Sequence, residues 1–156
     1  RENIAARFRE AHPDIRVEVG DCQRRLGFPD GHFDRILAIH VLEHLPDLPK
    51  AVEEAYRLCD KARGRLSVVL PCEGGFLYGL ARRWSAKRIY EQRYRLPYSG
   101  FIEREHLSRP GEVIEELTRR FRVVHRSFFP AVVPWIDCNL FIGLTLAPKA
   151  SERPSA

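Results

Sequence analysis

Two stretches decide the fold: Arg35-Ile36-Leu37-Ala38-Ile39 and Leu66-Ser67-Val68-Val69-Leu70. Each is a short, nearly continuous apolar run, as expected for strands covered on both faces in the middle of a parallel sheet. Between them Asp47 is a helix cap and Pro49 is tolerated in a first turn. Leu48, Ala51, Val52, Ala55, Leu58 and Cys59 fall on one helical face, and Gly64 ends the connection. Strand, helix and strand follow one another with the connection length that a right-handed crossover needs.

Working outward, Ile4, Ala5, Phe8 and Ala11 recur at helical spacing from Glu2 to His12, and Pro13 with Asp14 stops the pattern. Ile15, Val17 and Val19 then alternate with Arg16 and Glu18, which predicts an edge strand with one wet face. Residues Cys22 to His32 read as a loop. Beyond Pro71 the regularity loosens: Leu77, Leu80, Ala81 and Trp84 suggest a helix, followed by an irregular basic stretch holding Tyr90, Tyr94 and Tyr98. Pro110 opens a helix with Val113, Ile114 and Leu117, and Phe121 to Phe129 and Cys138 to Leu146 read as two final strands. The expected architecture is one α/β doubly wound domain over residues 1–148, with 72–109 as an irregular insertion or lid and 149–156 as a disordered tail.

Composition agrees with a packed globular domain. Of the 156 residues, 44% are apolar and 30% charged, which excludes disordered, collagenous and disulfide-scaffold classes. The net charge of +5 has a local origin: Arg82, Arg83, Lys87, Arg88, Arg93 and Arg95 oppose only Glu91, and the rest of the chain balances at 20 against 20. Such a patch attracts nucleic acid, anionic lipid or an acidic substrate, or is simply a solvated face. Cys22, Cys59, Cys72 and Cys138 have neither C-x-x-C spacing nor a disulfide pattern, so reduced thiols in the cytoplasm are expected. Pro130, Pro134, Asp137 and Asn139 interrupt the apolar region from Ser127 to Pro148, and no membrane-spanning run survives.

Ligands of open α/β sheets bind at the carboxyl ends of strands. Three such ends are visible: Asp21-Cys22, Ile39-His40, and Pro71-Cys72-Glu73-Gly74-Gly75. A carboxylate at the first accepts from an exocyclic amine such as that of adenine, or serves only as a turn residue. Gly20-Asp21-Cys22-Gln23, Phe28-Pro29-Asp30-Gly31-His32-Phe33-Asp34 and His40-Val41-Leu42-Glu43-His44-Leu45-Pro46-Asp47 together resemble the class I S-adenosylmethionine-dependent methyltransferases of the small-molecule type 11 branch. That family's pattern runs G-D-A, F-P-D-x-x-F-D, V-L-E-H-L-P-D. The motif resemblance covers Asp14 to Leu70; the remainder through Ala147 follows the family in its order of elements.

The resemblance implies a Rossmann-like, seven-stranded sheet with an antiparallel last strand. Ile15 to Val19 would be its third strand, Arg35 to Ile39 the fourth and Leu66 to Leu70 the fifth, with the two final strands closing it. It implies S-adenosyl-L-methionine as cofactor, Asp21 on the adenine amine, the Cys22 N–H on a ring nitrogen, and the Ile39-His40 strand end beside the methionine part. The family's glycine-rich loop and the acidic residue of its second strand would lie upstream of Arg1, so a fragment lacking the first two strands is expected, one that neither binds cofactor tightly nor turns over alone. Those two strands would lie between Ile15–Val19 and Arg35–Ile39, which either keep open inner edges or pair directly with each other. One departure from the family is the loop after Gln23, where Arg24-Arg25-Leu26-Gly27 is a residue longer than the pattern and lacks its proline.

No metal is expected. His40 and His44 are four apart, but the order is not H-E-x-x-H and no third ligand is evident; Glu43 and His44 read as loop-ordering residues. Aligning nucleophile, methyl and sulfur supplies much of the rate of methyl transfer, so no general base is required in principle. His106 is the weak catalytic candidate, able to take a proton if residues 90–102 form a lid over the acceptor, or else an ordinary surface histidine. Tyr94, Tyr98 and Phe101 wall an acceptor pocket or cover the sheet. The expected activity is methyl transfer to a small-molecule or lipid-like acceptor. The alternatives are a noncatalytic module binding RNA or an anionic membrane through the basic segment, with Trp84, Tyr90 and Tyr94 stacking bases, and an NAD-dependent Rossmann enzyme.

Overall fold

The computed structural model describes residues 2–72, 75–76, 78–80, 108–131 and 133–150. Helix α1 spans Glu2–Ala11, strand β1 Arg35–Ile39, helix α2 Leu48–Leu58, strand β2 Arg65–Pro71, helix α3 Pro110–Arg120, strand β3 Phe121–Pro130 and strand β4 Asn139–Pro148. The strands form one sheet in the order β1-β2-β4-β3. β1 and β2 are parallel with Ile36 opposite Leu66, and β4 runs antiparallel to both β2 and β3. β3 therefore points the same way as β1 and β2, and the mixed sheet with one reversed strand is as expected.

The period of two along β2 and β4 builds the core. Leu66, Val68 and Leu70 on β2, and Ile142, Leu144 and Leu146 on β4, are buried. They meet Leu48 and Val52 of α2, Val113 and Leu117 of α3, and Phe121 at the start of β3. Burying each large aliphatic chain contributes about 1.5–3 kcal/mol, so this face supplies most of the hydrophobic stabilisation. The caps are as the sequence predicts: Asp47 Oδ1 accepts from Lys50 N at 3.3 Å with Pro49 in the first turn of α2. Pro110 starts α3, where Arg109 N donates to Glu112 Oε2 at 2.8 Å.

Three expectations are corrected. β1 is not covered on both faces: it keeps an open edge in the described sheet, one of the two expected alternatives, and Leu37 is 69% and Ile39 56% exposed, while Ile36 and Ala38 pack on the core. Ile15–Val19 forms no strand, and it does not pair with β1. Alternation alone does not make a strand, because a ladder needs a neighbour to receive its N–H and C=O groups. Here the Val17 carbonyl accepts instead from Arg9 of α1, at 3.2 Å from Nε and 2.9 Å from Nη2. Finally, Lys149 belongs to the folded part rather than the tail: its N–H donates to Arg120 O and its carbonyl accepts from Tyr56 Oη, each at 2.9 Å. Most of the 72–109 insertion and the 151–156 tail lie outside the described residues.

Candidate functional site at the carboxyl rim

The carboxyl ends of β1, β2 and β3 open on one rim. At the end of β1, His40 N donates to Val69 O at 3.1 Å, continuing the ladder by one rung. The chain then turns sharply, with His40 at φ 51°. A left-handed backbone is uncommon outside glycine and is held only when its surroundings determine it. A 3-10 turn, Leu42–His44, follows and leads to the Asp47 cap of α2. At the end of β2, the Phe76 N–H donates to Asp137 Oδ1 at 3.4 Å, tying this loop to the β3–β4 connection. A Cβ on Gly75 would meet Ile136 O at 2.5 Å, so only glycine permits that approach.

Asp21 shapes a turn on the same rim. Its Oδ1 accepts from Gln23 N and Gln23 Nε2, both at 3.0 Å, and Arg24 Nε lies 3.5 Å from Oδ2. Gln23 Oε1 accepts in turn from Asp47 N at 2.7 Å. One glutamine thus ties the 20–24 turn to the start of α2, beside the end of β1. Cys22 is half-buried, and burial, with Asp21 adding to it, pushes its thiol up. It lines an apolar cavity of about 320 Å³ with Leu26, Phe28, Leu37, Val41 and Val52, a size at the lower end of small-ligand pockets.

Glu43 is 2% exposed, an unusual place for a carboxylate. Its Oε1 lies 3.3 Å from His40 Nδ1 and 3.9 Å from His44 Nε2, while Oε2 has no hydrogen-bond partner among the described residues. The His40 ring also meets Phe141 of β4 edge-on, centroids 5.2 Å apart. The Glu43 carbonyl accepts from Ser108 N at 3.2 Å, binding the turn to the segment before α3.

A second polar network holds the 26–30 loop. Arg57 donates to Glu54 Oε1 at 2.6 Å and Oε2 at 2.8 Å, to Asp30 Oδ1 at 2.6 Å, and to the carbonyls of Phe28 and Leu26. Glu54 Oε1 also accepts from Leu26 N at 2.8 Å. Hydrogen bonding to Arg57 holds the Glu54 carboxyl below its ordinary value. This network closes one wall of the cavity.

Of the cofactor residues expected from the sequence, Cys22 reaches the cavity and Asp21 lies next to it in the turn. Ile39 and His40 lie on the neighbouring strand end, outside the cavity lining. His106 and the basic residues Arg82, Arg83, Lys87, Arg88, Arg93 and Arg95 lie outside the described residues, as do Trp84, Tyr90, Tyr94, Tyr98 and Phe101. Sequence reasoning missed Gln23, whose bridging has no spacing signature, and the burial of Glu43. Among the described residues no group of histidine, cysteine and acidic side chains is arranged to hold a metal ion, and no helix is long and apolar enough to cross a membrane.

The residues present fit an adenosyl cofactor. The Asp21 carboxylate is 43% exposed, and the cavity beside it offers an apolar bed for a flat ring. The methyltransferase-domain family model matches residues 1–68. Among solved structures, the chain is similar to a TehB-like S-adenosylmethionine-dependent methyltransferase from Corynebacterium glutamicum, with TM-score 0.63, 16% identity, and coverage of 96% of this chain and 65% of that one. An S-adenosylmethionine-dependent methyltransferase from Mesorhizobium loti gives TM-score 0.61, 16% identity and coverage of 94% and 76%. The N-methyltransferase NodS from Bradyrhizobium japonicum, solved with S-adenosylhomocysteine, gives TM-score 0.57, 15% identity and coverage of 93% and 61%. No curated protein sequence matches the chain. The family match over residues 1–68 and the fold shared along nearly the whole chain give this chain the Rossmann-like fold of the class I S-adenosylmethionine-dependent methyltransferases.

Proposed function

We propose that the protein transfers a methyl group to a small-molecule or lipid-like acceptor bound at the carboxyl rim. S-adenosylmethionine supplies the electrophilic methyl on a sulfonium. On the protein side, Asp21 accepts from the adenine amine, the Cys22 N–H donates to a ring nitrogen, and Ile39 and His40 flank the methionine part. The observation that carries this reading is the 2.7 Å bond from Asp47 N to Gln23 Oε1. It keeps Asp21 and Cys22 near the end of β1, so that a cofactor lying across the rim meets both the 20–24 turn and that strand end. Because Asp21 is already oriented by Gln23, less ordering remains to be done when the cofactor binds.

Exposed apolar side chains support an apolar acceptor. Phe76 follows β2, while Phe129 ends β3 and Trp135 follows it; they are 76%, 61% and 67% exposed. The test is incubation of the intact protein with methyl-labelled S-adenosylmethionine and a cell extract of small molecules and lipids. Label recovered in organic-soluble small molecules supports the proposal. Label found only in macromolecules, or in nothing, contradicts it.

A further inference from the structure

We propose that His40 is the proton acceptor for the incoming nucleophile and that buried Glu43 is its positioning residue. This deepens the methyl-transfer reading and rests on it. Three observations combine at one point of the fold. His40 holds a left-handed backbone at φ 51°, a strained conformation for a non-glycine residue, at the end of β1. Its imidazole is 40% exposed at the rim, while the carboxylate facing Nδ1 is 3% exposed. That carboxylate has a second oxygen, Oε2, buried without a hydrogen-bond partner among the described residues.

A carboxylate accepts only, so the hydrogen at the 3.3 Å contact belongs to His40 Nδ1. This leaves Nε2 as the lone-pair nitrogen of the neutral ring. The Phe141 ring, edge-on at 5.2 Å, packs against the imidazole and limits its rotation. Glu43 also approaches His44 Nε2 at 3.9 Å, but the shorter contact is with His40. A buried carboxylate with an unsatisfied oxygen stabilises a positive charge on the neighbouring ring more than an exposed one does.

The step balances as follows. The acceptor's O–H, N–H or S–H gives its proton to His40 Nε2 as its lone pair bonds to the methyl carbon. The carbon–sulfur bond breaks and its electron pair remains on sulfur, so the positive charge passes from the sulfonium to the imidazolium. His40 then returns the proton to water. Glu43 keeps the ring in the accepting tautomer and faces the charge that develops, without touching the reacting atoms.

The experiment is long-range proton–nitrogen correlation NMR on the intact protein labelled with nitrogen-15 histidine, with His40 assigned from its loss in His40→Gln. Calorimetry with S-adenosylhomocysteine is run on the same samples. The expected result is the Nδ1–H tautomer of His40 in the parent and in Glu43→Gln, which retains an accepting oxygen, and a mixture of tautomers in Glu43→Leu. Adding S-adenosylhomocysteine should move the His40 Nε2 resonance and leave those of His12 and His32 unchanged. An Nε2–H tautomer in the parent, or a tautomer unaffected by Glu43→Leu, overturns the positioning role of Glu43. Should Glu43→Leu fail to fold, the parent and Glu43→Gln spectra decide it. Ligand that binds by calorimetry without moving His40 overturns the base assignment, whereas ligand that does not bind the parent overturns the methyl-transfer reading itself.

Discussion

Gln23 accepts the Asp47 backbone N–H at 2.7 Å while donating from its own side chain and backbone to Asp21, so a single residue joins the 20–24 turn to the cap of α2. Asp47 uses its side chain for the first turn of the helix and its N–H for Gln23. The geometry of Asp21 is therefore coupled to the position of α2.

Replacing Gln23 with alanine should remove its two side-chain contacts, keep its backbone bond to Asp21, and leave the Asp47 N–H to water. Net loss of a hydrogen bond costs about 0.5–1.5 kcal/mol, and the freed turn should weaken S-adenosylhomocysteine several-fold. Urea unfolding and calorimetry on the same variant check the two effects separately. Lowered stability with unchanged affinity would mean that the turn serves the fold alone.

The Glu54–Arg57 pair predicts a specific pH dependence. Arg57 holds the Glu54 carboxyl below its ordinary value of 4.5, so in the unfolded chain Glu54 binds a proton more readily than in the folded one. The pair therefore contributes fully above that ordinary value, and its contribution is lost as pH falls through the lower folded value. Asp30, held down by the same guanidinium, acts in the same direction at lower pH. Arg57→Leu should be less stable than the parent at pH about 7, and the gap should narrow by pH about 3. Denaturant melts across that range measure it, and a gap that stays constant would count against the pair.

Gly64 has no room for a methyl group. An added Cβ would lie 2.2 Å from Asp60 O and 2.6 Å from Cys59 Sγ. The turn is closed by Asp60, whose Oδ1 accepts from Ala62 N and Arg63 N at 2.8 and 2.6 Å. Gly64→Ala should therefore destabilise by roughly 1–3 kcal/mol, as overpacking does, through the approach to β2 and not through the rim. A thermal melt that matches the parent would show that the turn yields at little cost.

How much of this was legible in the sequence follows from what each residue answers to. Arg35–Ile39 and Leu66–Leu70 were readable as a parallel pair because apolar runs flanking a capped amphipathic helix leave few other topologies. The exposure of Leu37 and Ile39 was not readable, since burial depends on which strands lie alongside. Ile15–Val19 alternates as a strand should, yet pairing is a property of two segments and the pattern describes one. Asp21 was found through a motif, and its turn role was foreseen as the alternative to adenine contact; the structure shows the turn, with side-chain surface left over. Glu43 was read as a loop-ordering residue, which its carbonyl's bond to Ser108 agrees with. Its nearly complete burial had no signal, because charged side chains are rarely fully enclosed.

The central claim is that an adenosyl cofactor binds across the rim with Asp21 at its adenine end. Calorimetric titration of the intact protein with S-adenosylhomocysteine, parent beside Asp21→Ala, tests it most directly. Losing a charged hydrogen bond of about 1.5–3 kcal/mol should weaken binding about tenfold to a hundredfold, with the thermal midpoint of the unliganded variant lowered only by the loss of its turn bonds from Gln23. Equal affinity in the two proteins would contradict the account.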